Sequence, residues 1–213
     1  MKNLLKNIGK KSKKAFAHKL SSKMKNKVLK NYCNLIYKNK KLIINENKKD
    51  LEKAIKKKIK DNLLQRLVLD DKKISIIINS IKKIIKLKDP TNITLEKWKR
   101  PNGLNISKIS TPIGVIGVIY ESRPNVTSDV ASLCFKSGNA VILRGGSEAF
   151  YSNYILSKLF RKSLQKNSLD ENFVQFINIK NRKVVDFILT EMSGFIDVII
   201  PRGGKSLVKK VKN

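Results

Sequence analysis

The stretch that decides the fold runs from residue 113 to residue 143 and reads IGVIGVIYESRPNVTSDVASLCFKSGNAVIL. Residues 113–120 form a continuous apolar run, which is typical of a parallel strand buried on both faces. Residues 126–136 have helical spacing and end shortly before Gly138, a residue suited to the left-handed position after a helix. Residues 140–143 form a second apolar run, so we predict a strand–helix–strand unit.

The same alternation continues towards the C-terminus. The pattern predicts helices at about 147–166 and at 182–192, strands at 173–177 and 196–200, and a helix that begins after Gly204. Such alternation gives a parallel sheet covered by helices. We therefore predict an α/β fold, a Rossmann-type parallel sheet with helices on both faces, whose ligands lie beyond the carboxyl ends of the strands.

The residues before the sheet predict helices and a hairpin. Three apolar stripes have helical spacing. The first runs from Phe16 to Ile36, and the second runs from Leu51 to Ile59 and includes Ala54 and Ile55. The third consists of isoleucines from Ile74 to Ile85, and Asp70 or Asp71 can cap its helix. The turn signal Pro101-Asn102-Gly103 separates two short strand candidates. The predicted division is a helical region at 1–90, a β-hairpin at 91–110 and a Rossmann-like domain at 111–213.

The first strand-to-helix loop has the sequence Glu121-Ser122-Arg123-Pro124-Asn125. Two interpretations of its polar side chains stay open. Asn125 or Thr127 can cap the following helix, which the spacing favours. Alternatively, the Asn125 amide can donate a hydrogen bond to an oxyanion that develops during a reaction.

Two further loops each combine an arginine with a glycine pair. They are Arg144-Gly145-Gly146-Ser147 and Pro201-Arg202-Gly203-Gly204. Each is either a tight turn with an exposed arginine or a phosphate site at a helix start, where free N–H groups and the helix dipole favour anions. The second is not a P-loop, because that motif needs a glycine where Ile199 stands. Two such loops at one sheet edge favour an anionic ligand such as a dinucleotide.

The charge of the chain is strongly positive, with 47 Lys and Arg against 16 Asp and Glu. Only seven of the 47 basic residues are Arg. Two explanations compete. Residues of A/T-rich codons are abundant, so lysines on solvated faces account for much of the excess. The alternative is a nucleic-acid surface, but such surfaces favour arginine, and aromatic residues are sparse in the basic runs, so we expect only non-specific binding.

Other features bound the function further. Cys33 and Cys134 lie far apart, which suits a reducing compartment and predicts buried structural thiols. No metal-ligand spacing is present, and the lysine-rich start has no apolar run typical of a signal peptide or a membrane span. We expect a cytoplasmic protein without a metal site.

The run TPIGVIGVIYESRPNVTSDVASLCFKSGNAVILRGGSEAFYSN at residues 111–153 closely resembles the γ-glutamyl phosphate reductase family, also called glutamate-5-semialdehyde dehydrogenase. IDVIIPRGGKSL at 196–207, LIINENKKDLEKA at 42–54 and LKDP at 87–90 are similar to further segments of that family. The resemblance covers nearly the whole chain. It implies an aldehyde-dehydrogenase-like fold.

The resemblance also implies a reaction and roles for residues. NADPH reduces L-glutamyl 5-phosphate to L-glutamate 5-semialdehyde in proline biosynthesis, and a cysteine thiolate attacks the acyl phosphate. The family's oxyanion donor is matched by Asn125. The site of the adenosine ribose and its 2′-phosphate is matched by Arg144, Gly145, Gly146 and Ser147. The loop beside the pyrophosphate is matched by Pro201, Arg202, Gly203 and Gly204. The hairpin matches strands that bridge subunits, which implies a homo-oligomer.

One expectation concerns the catalytic cysteine. In the family it follows the second glycine loop, in a separate domain, and neither Cys33 nor Cys134 is at its place. We therefore expect this chain to be the N-terminal half of the enzyme, either a fragment, a truncated reading frame or one part of a split protein that associates with its catalytic half. On that expectation the chain alone is inactive.

Overall fold

The computed structural model describes residues 1–181 and 183–212. Its strands are β1 Thr94–Lys99, β2 Asn105–Ile109, β3 Val115–Tyr120, β4 Ala140–Arg144, β5 Val174–Phe176 and β6 Val198–Arg202. Its helices are α1 Lys2–Phe16, α2 Ser22–Lys38, α3 Lys40–Lys56, α4 Asp61–Leu67, α5 Asp71–Lys86, α6 Pro124–Lys136, α7 Phe150–Gln165, α8 Lys183–Glu191 and α9 Lys205–Lys212. The predicted start of α8 at residue 182 lies outside the described residues.

The centre of the molecule is a four-stranded parallel sheet in the order β5-β4-β3-β6. Every residue of β3 and β4 is buried. Because successive side chains of a strand point to opposite faces, both faces of these strands must be covered. Helices α6 and α7 pack on the sheet and on each other, and α1 also contacts β3, β4 and β5. The predicted α/β fold is therefore confirmed.

The N-terminal helices differ in part from the sequence prediction. The first stripe was expected to form one helix, but α1 ends at Phe16 and α2 begins at Ser22, where the Ser21 side chain accepts a hydrogen bond from the Met24 amide at 3.3 Å. In the second stripe Ala54 is buried, whereas Ile55 is 63% exposed. Periodicity alone missed both the local cap and the direction of packing.

Helix α5 follows the prediction closely. The Asp70 carboxylate accepts a hydrogen bond from the Lys73 amide at 2.6 Å, which makes Asp70 the N-cap. The isoleucine stripe is buried against the core at Ile74, Ile77, Ile78, Ile81 and Ile84.

The β1–β2 hairpin is antiparallel, and its strand residues are almost all exposed. Its base is held by Lys25, which is 1% exposed and donates from Nζ to both Asp89 oxygens, at 3.0 and 3.1 Å, and to Thr91 at 3.1 Å. A buried lysine needs such partners because an unpaired charge is costly away from water. This contact fixes the hairpin base to α2.

Two features are absent from residues 1–181 and 183–212. None of the helices there combines the length and the apolar character that a membrane crossing needs. No group of three or more His, Cys, Asp or Glu side chains in the same residues could hold a metal ion.

Candidate functional site

The three strand-to-helix loops open on one edge of the sheet. Ile119 of the central strand β3 pairs with Arg144 of β4 on one side and with Pro201 of β6 on the other, and Tyr120 pairs with Arg202. Since the three strands are parallel, their carboxyl ends lie together. The two arginines that the sequence predicted for anion binding therefore flank the end of the same strand.

A cavity of about 970 Å³ lies over this edge, and we call it the larger cavity. Four of the seven arginines of the chain line it. Among the described lining side chains these arginines are the only basic ones; the lining is Ile59, Leu63, Arg66, Ile119, Tyr120, Glu121, Ser122, Arg123, Val126, Arg144, Gly146, Ser147, Glu148, Val185, Arg202, Gly203, Gly204 and Leu207. Arginine binds phosphate bidentately, so this composition suits a phosphorylated ligand.

Arg144 is 7% exposed, so the alternative of a turn with an exposed arginine is wrong for this loop. Its guanidinium donates to the carbonyl oxygens of Gly145 and, at 3.4 Å, of Lys180. Gly145 is not among the residues that line the cavity, and a Cβ on it would be 2.3 Å from Asn153 Nδ2. The glycine therefore lets the chain turn tightly while the arginine reaches the cavity wall.

The start of α7 is not an open phosphate site, contrary to one interpretation of the sequence. The Asp50 carboxylate from α3 accepts hydrogen bonds from the Tyr151 amide at 3.1 Å, and from the Ser152 amide and hydroxyl at 2.8 and 2.7 Å. Ser147 begins a 3₁₀ turn rather than capping a helix, and its hydroxyl donates to Glu148 at 3.0 Å. At this helix start only Ser147 and Glu148 of the 3₁₀ turn line the larger cavity.

Glu121 lies against the third loop. Its carboxylate accepts a hydrogen bond from the Gly204 amide at 3.0 Å, and a Cβ on Gly203 would be 2.6 Å from its Cδ. A side chain at position 203 would therefore have to displace the flexible Glu121 side chain. Pro201 lies within β6, paired with Ile119, so it shapes the loop rather than lining the cavity.

Asn125 does not cap α6, so that interpretation is wrong. Pro124 is the first residue of the helix, no side-chain hydrogen bond caps it, and the Thr127 hydroxyl instead bonds with Tyr120 and Asn153. The Asn125 amide donates to Asp129 Oδ2 at 3.2 Å, within α6. Burial raises the pKa of Asp129, an effect that Asn125 and Arg202 oppose.

A second cavity of about 510 Å³, the smaller cavity, adjoins the first. Arg66 and Arg123 line both cavities, whereas Asn125 lines only the smaller one. The smaller cavity is lined by Asn62, Gln65, Arg66, Val68, Leu69, Lys73, Ile76, Ile77, Arg123 and Asn125. Of the sequence-predicted residues, Asn125 thus lines the smaller cavity, six line the larger one, and Gly145 and Pro201 line neither.

Both cysteines are buried and free of disulfides, as the sequence predicted. Burial raises the pKa of Cys33 to about 11 and that of Cys134 to about 12. Because the thiolate is the nucleophilic form, neither thiol is reactive near neutral pH.

Comparison with known proteins agrees with this geometry. No family model matches the chain. A gamma-glutamyl phosphate reductase of Bartonella tribocorum is 43% identical over 91% of this chain and 47% of its own length. The crystal structure of the Thermotoga maritima gamma-glutamyl phosphate reductase is 36% identical, with a TM-score of 0.94 over 98% of this chain and 50% of that one. Over nearly its whole length the chain is therefore similar to gamma-glutamyl phosphate reductases. It spans about half the length of the curated relatives it matches.

More distant structures show how widely the fold is shared. A probable aldehyde dehydrogenase from Listeria monocytogenes is 13% identical, with a TM-score of 0.71 over 99% of this chain and 44% of that one. An engineered glycolyl-CoA reductase with bound NADP⁺ is 16% identical, with a TM-score of 0.70 over 98% of this chain and 44% of that one. The fold of this reductase homologue is therefore aldehyde-dehydrogenase-like, as the resemblance implied.

Three charged residues of the larger cavity, Arg66, Glu121 and Arg123, had no role assigned from the sequence. Arg66 comes from α4, a short helix that was not predicted, and Glu121 and Arg123 were quoted in their loop without a role. The rarity of arginine in this lysine-rich chain was the signal that could have identified Arg66. No local signal places the Glu121 carboxylate on a glycine loop 83 residues away.

Proposed function

We propose that this chain provides the cofactor-binding part of an enzyme that reduces L-glutamyl 5-phosphate with NADPH, giving L-glutamate 5-semialdehyde and phosphate in proline biosynthesis. The observation that carries the proposal is the convergence of four arginines and two glycine loops on one sheet edge. Similarity to gamma-glutamyl phosphate reductases supports the substrate, and the NADP⁺-bound structure of the same fold supports the cofactor.

The residues of the larger cavity fit a nicotinamide dinucleotide phosphate. Arg144 and Ser147 would hold the ribose and its 2′-phosphate beside β4, and Gly203, Gly204 and Arg202 would hold the pyrophosphate beside β6. When bound, the cofactor supplies a hydride. Binding the pyrophosphate requires Glu121 to leave the Gly204 amide, since both are anions that compete for one donor.

Asn125 is proposed as the oxyanion donor. A side-chain amide carries two N–H groups, so donation of one to Asp129 leaves the other for the substrate oxygen. The nucleophile is not proposed within this chain, because both its cysteines are buried with raised pKa values. We further propose that the exposed hairpin joins two copies, and that the protein is cytoplasmic.

Cofactor binding can be tested by the fluorescence of NADPH titrated with the chain. We expect Arg144→Ala and Arg202→Ala to weaken binding about tenfold or more, because each removes a charge-assisted hydrogen bond to phosphate. Arg100→Ala, which removes an arginine outside the cavities, is the matched control. Equal dissociation constants for all three variants and the parent chain would show that the cofactor site is misplaced.

Catalysis needs a separate assay. With glutamate semialdehyde, phosphate and NADP⁺, we expect the chain alone to show no reduction of NADP⁺, since no reactive thiol is available. Turnover above background would refute the proposal that this chain binds the cofactor but carries no nucleophile. The alternative function, a dinucleotide-binding half that works with a separate catalytic chain, predicts that activity returns when that chain is added.

A further inference from the structure

The lining of the smaller cavity is strongly basic, and it includes none of the residues proposed above to hold the cofactor. Arg66, Lys73 and Arg123 contribute three positive charges, and among the described lining residues there is no acidic side chain. Uncompensated cations around a concave site favour an anion with more than one negative charge. The cavity therefore has the electrostatics of a phosphate site.

The geometry points to the smaller cavity as the binding site of the acyl-phosphate substrate, with Arg66, Lys73 and Arg123 as ligands of its phosphate group. This inference rests on the proposed function and adds the location and the residues of substrate recognition. Arg66 and Arg123 also line the larger cavity, so the two ligands would meet at these arginines.

Three further features fit an amino-acid acyl phosphate rather than a free inorganic anion. Asn125, the proposed oxyanion donor, lines the same cavity, which would bring the reacting carbonyl carbon close to the phosphate site. Asn62 and Gln65 provide amides for the polar end of the substrate, and Leu69 and Ile77 provide an apolar wall for its methylene groups.

Lys73 allows the smaller cavity to be tested independently of the cofactor site. Its Nζ donates to the Gln65 carbonyl oxygen at 2.6 Å, which holds the ammonium at the junction of α4 and α5. It lines the smaller cavity but not the larger one. Lys72, the adjacent residue on α5, is exposed and lines neither cavity, so it provides a matched control.

The test measures binding of inorganic phosphate to the full chain by equilibrium dialysis, with and without NADP⁺, and separately the dissociation constant of NADPH. We expect Lys73→Gln to weaken phosphate binding about tenfold, and Lys73→Arg to restore it, because one charge-assisted hydrogen bond is lost and regained. Lys72→Gln should change phosphate binding less than twofold. None of these variants should change the NADPH dissociation constant by more than twofold.

The outcomes separate the two proposals. If Lys73→Gln and Lys72→Gln affect phosphate binding equally, or if no phosphate binds, the inference is overturned even where NADPH binds normally. If the chain does not bind NADPH, but phosphate binding still depends on Lys73 and not on Lys72, the cofactor proposal fails and this inference stands. Thermal unfolding followed by circular dichroism verifies that each variant is folded, and Lys73→Arg guards against a purely structural effect.

Discussion

Asp50 provides the sharpest test of how the helical region supports the sheet. The carboxylate is 1% exposed and lies on α3, yet its three hydrogen bonds go to Tyr151 and Ser152 at the start of α7. It therefore acts as an N-cap supplied from another helix, and the negative charge lies at the positive end of the α7 dipole. Asp50→Ala removes all of these interactions at once.

The magnitude follows from the groups that would be left without partners. Ser152 is fully buried, so Asp50→Ala leaves its amide unpaired and deprives its hydroxyl of an acceptor, although that hydroxyl still accepts a hydrogen bond from Asn47 Nδ2 at 3.0 Å. Each unsatisfied buried group costs about 1 to 3 kcal/mol. With the lost dipole interaction, we expect the free energy of unfolding to fall by about 3 to 5 kcal/mol. Asp50→Asn keeps one acceptor oxygen and should cost about 1 to 2 kcal/mol.

Urea unfolding followed by far-UV circular dichroism measures these changes. Asp70→Ala is the control, because Asp70 is an exposed N-cap with one backbone hydrogen bond and should cost about 1 kcal/mol. The expected order of loss is Asp50→Ala, then Asp50→Asn, with Asp70→Ala similar to or below the latter. If Asp50→Ala costs no more than Asp70→Ala, the cap between helices does not contribute to stability as argued.

Three further predictions follow from the loops and the hairpin base. Glu121→Gln should lower the dissociation constant of NADPH several-fold, because an anion that competes with the pyrophosphate becomes neutral; an unchanged constant in the fluorescence titration contradicts this. Gly145→Ala should reduce the free energy of unfolding by about 1 to 3 kcal/mol, since its Cβ would be 2.3 Å from Asn153 Nδ2, whereas Gly194→Ala, with no atom within 4 Å, should cost less than about 1 kcal/mol. Burial acts to raise the pKa of Asp89, but its hydrogen bonds outweigh burial and hold the pKa below the usual value. The stabilisation that the Asp89 carboxylate provides is therefore complete above about pH 4 and is lost as the pH falls through the lower folded pKa. In urea unfolding, Asp89→Asn should destabilise the protein less at about pH 3 than at about pH 7.

The sheet was predictable because burial on both faces leaves a direct mark on the sequence. Strands β3 and β4 are apolar throughout, and the isoleucine stripe of α5 has one clear helical period. Helix α4 has only seven residues and too few turns for a periodic signal. The break between α1 and α2 depends on the local cap at Ser21, which the continuous apolar spacing concealed.

The site was predictable only as far as its parts are local. The glycine loops and their arginines are short motifs, and the order of the strands brings them together. The sequence could not predict which carboxylates accept hydrogen bonds from the backbone amides of these loops. Asp50 and Glu121 accept from amides that are 101 and 83 residues away along the chain. Whether a helix start is open to phosphate depends on such distant side chains, so the local pattern suggested an open site at α7 where the Asp50 carboxylate in fact occupies the amides.

The lysines and the arginines of the chain also occupy different kinds of position. Lys25 and Lys136 are 1% and 3% exposed, and they bind Asp89 and the Ile85 carbonyl oxygen, so the lysines are not all a solvated face as the sequence implied. The cavities instead collect arginine, the rarer cation, whose planar guanidinium stays charged and binds phosphate in a fixed geometry. A lysine excess produced by codon bias would be spread without regard to the ligand. The concentration of arginine at one sheet edge is therefore the part of the positive charge that points to a phosphorylated ligand.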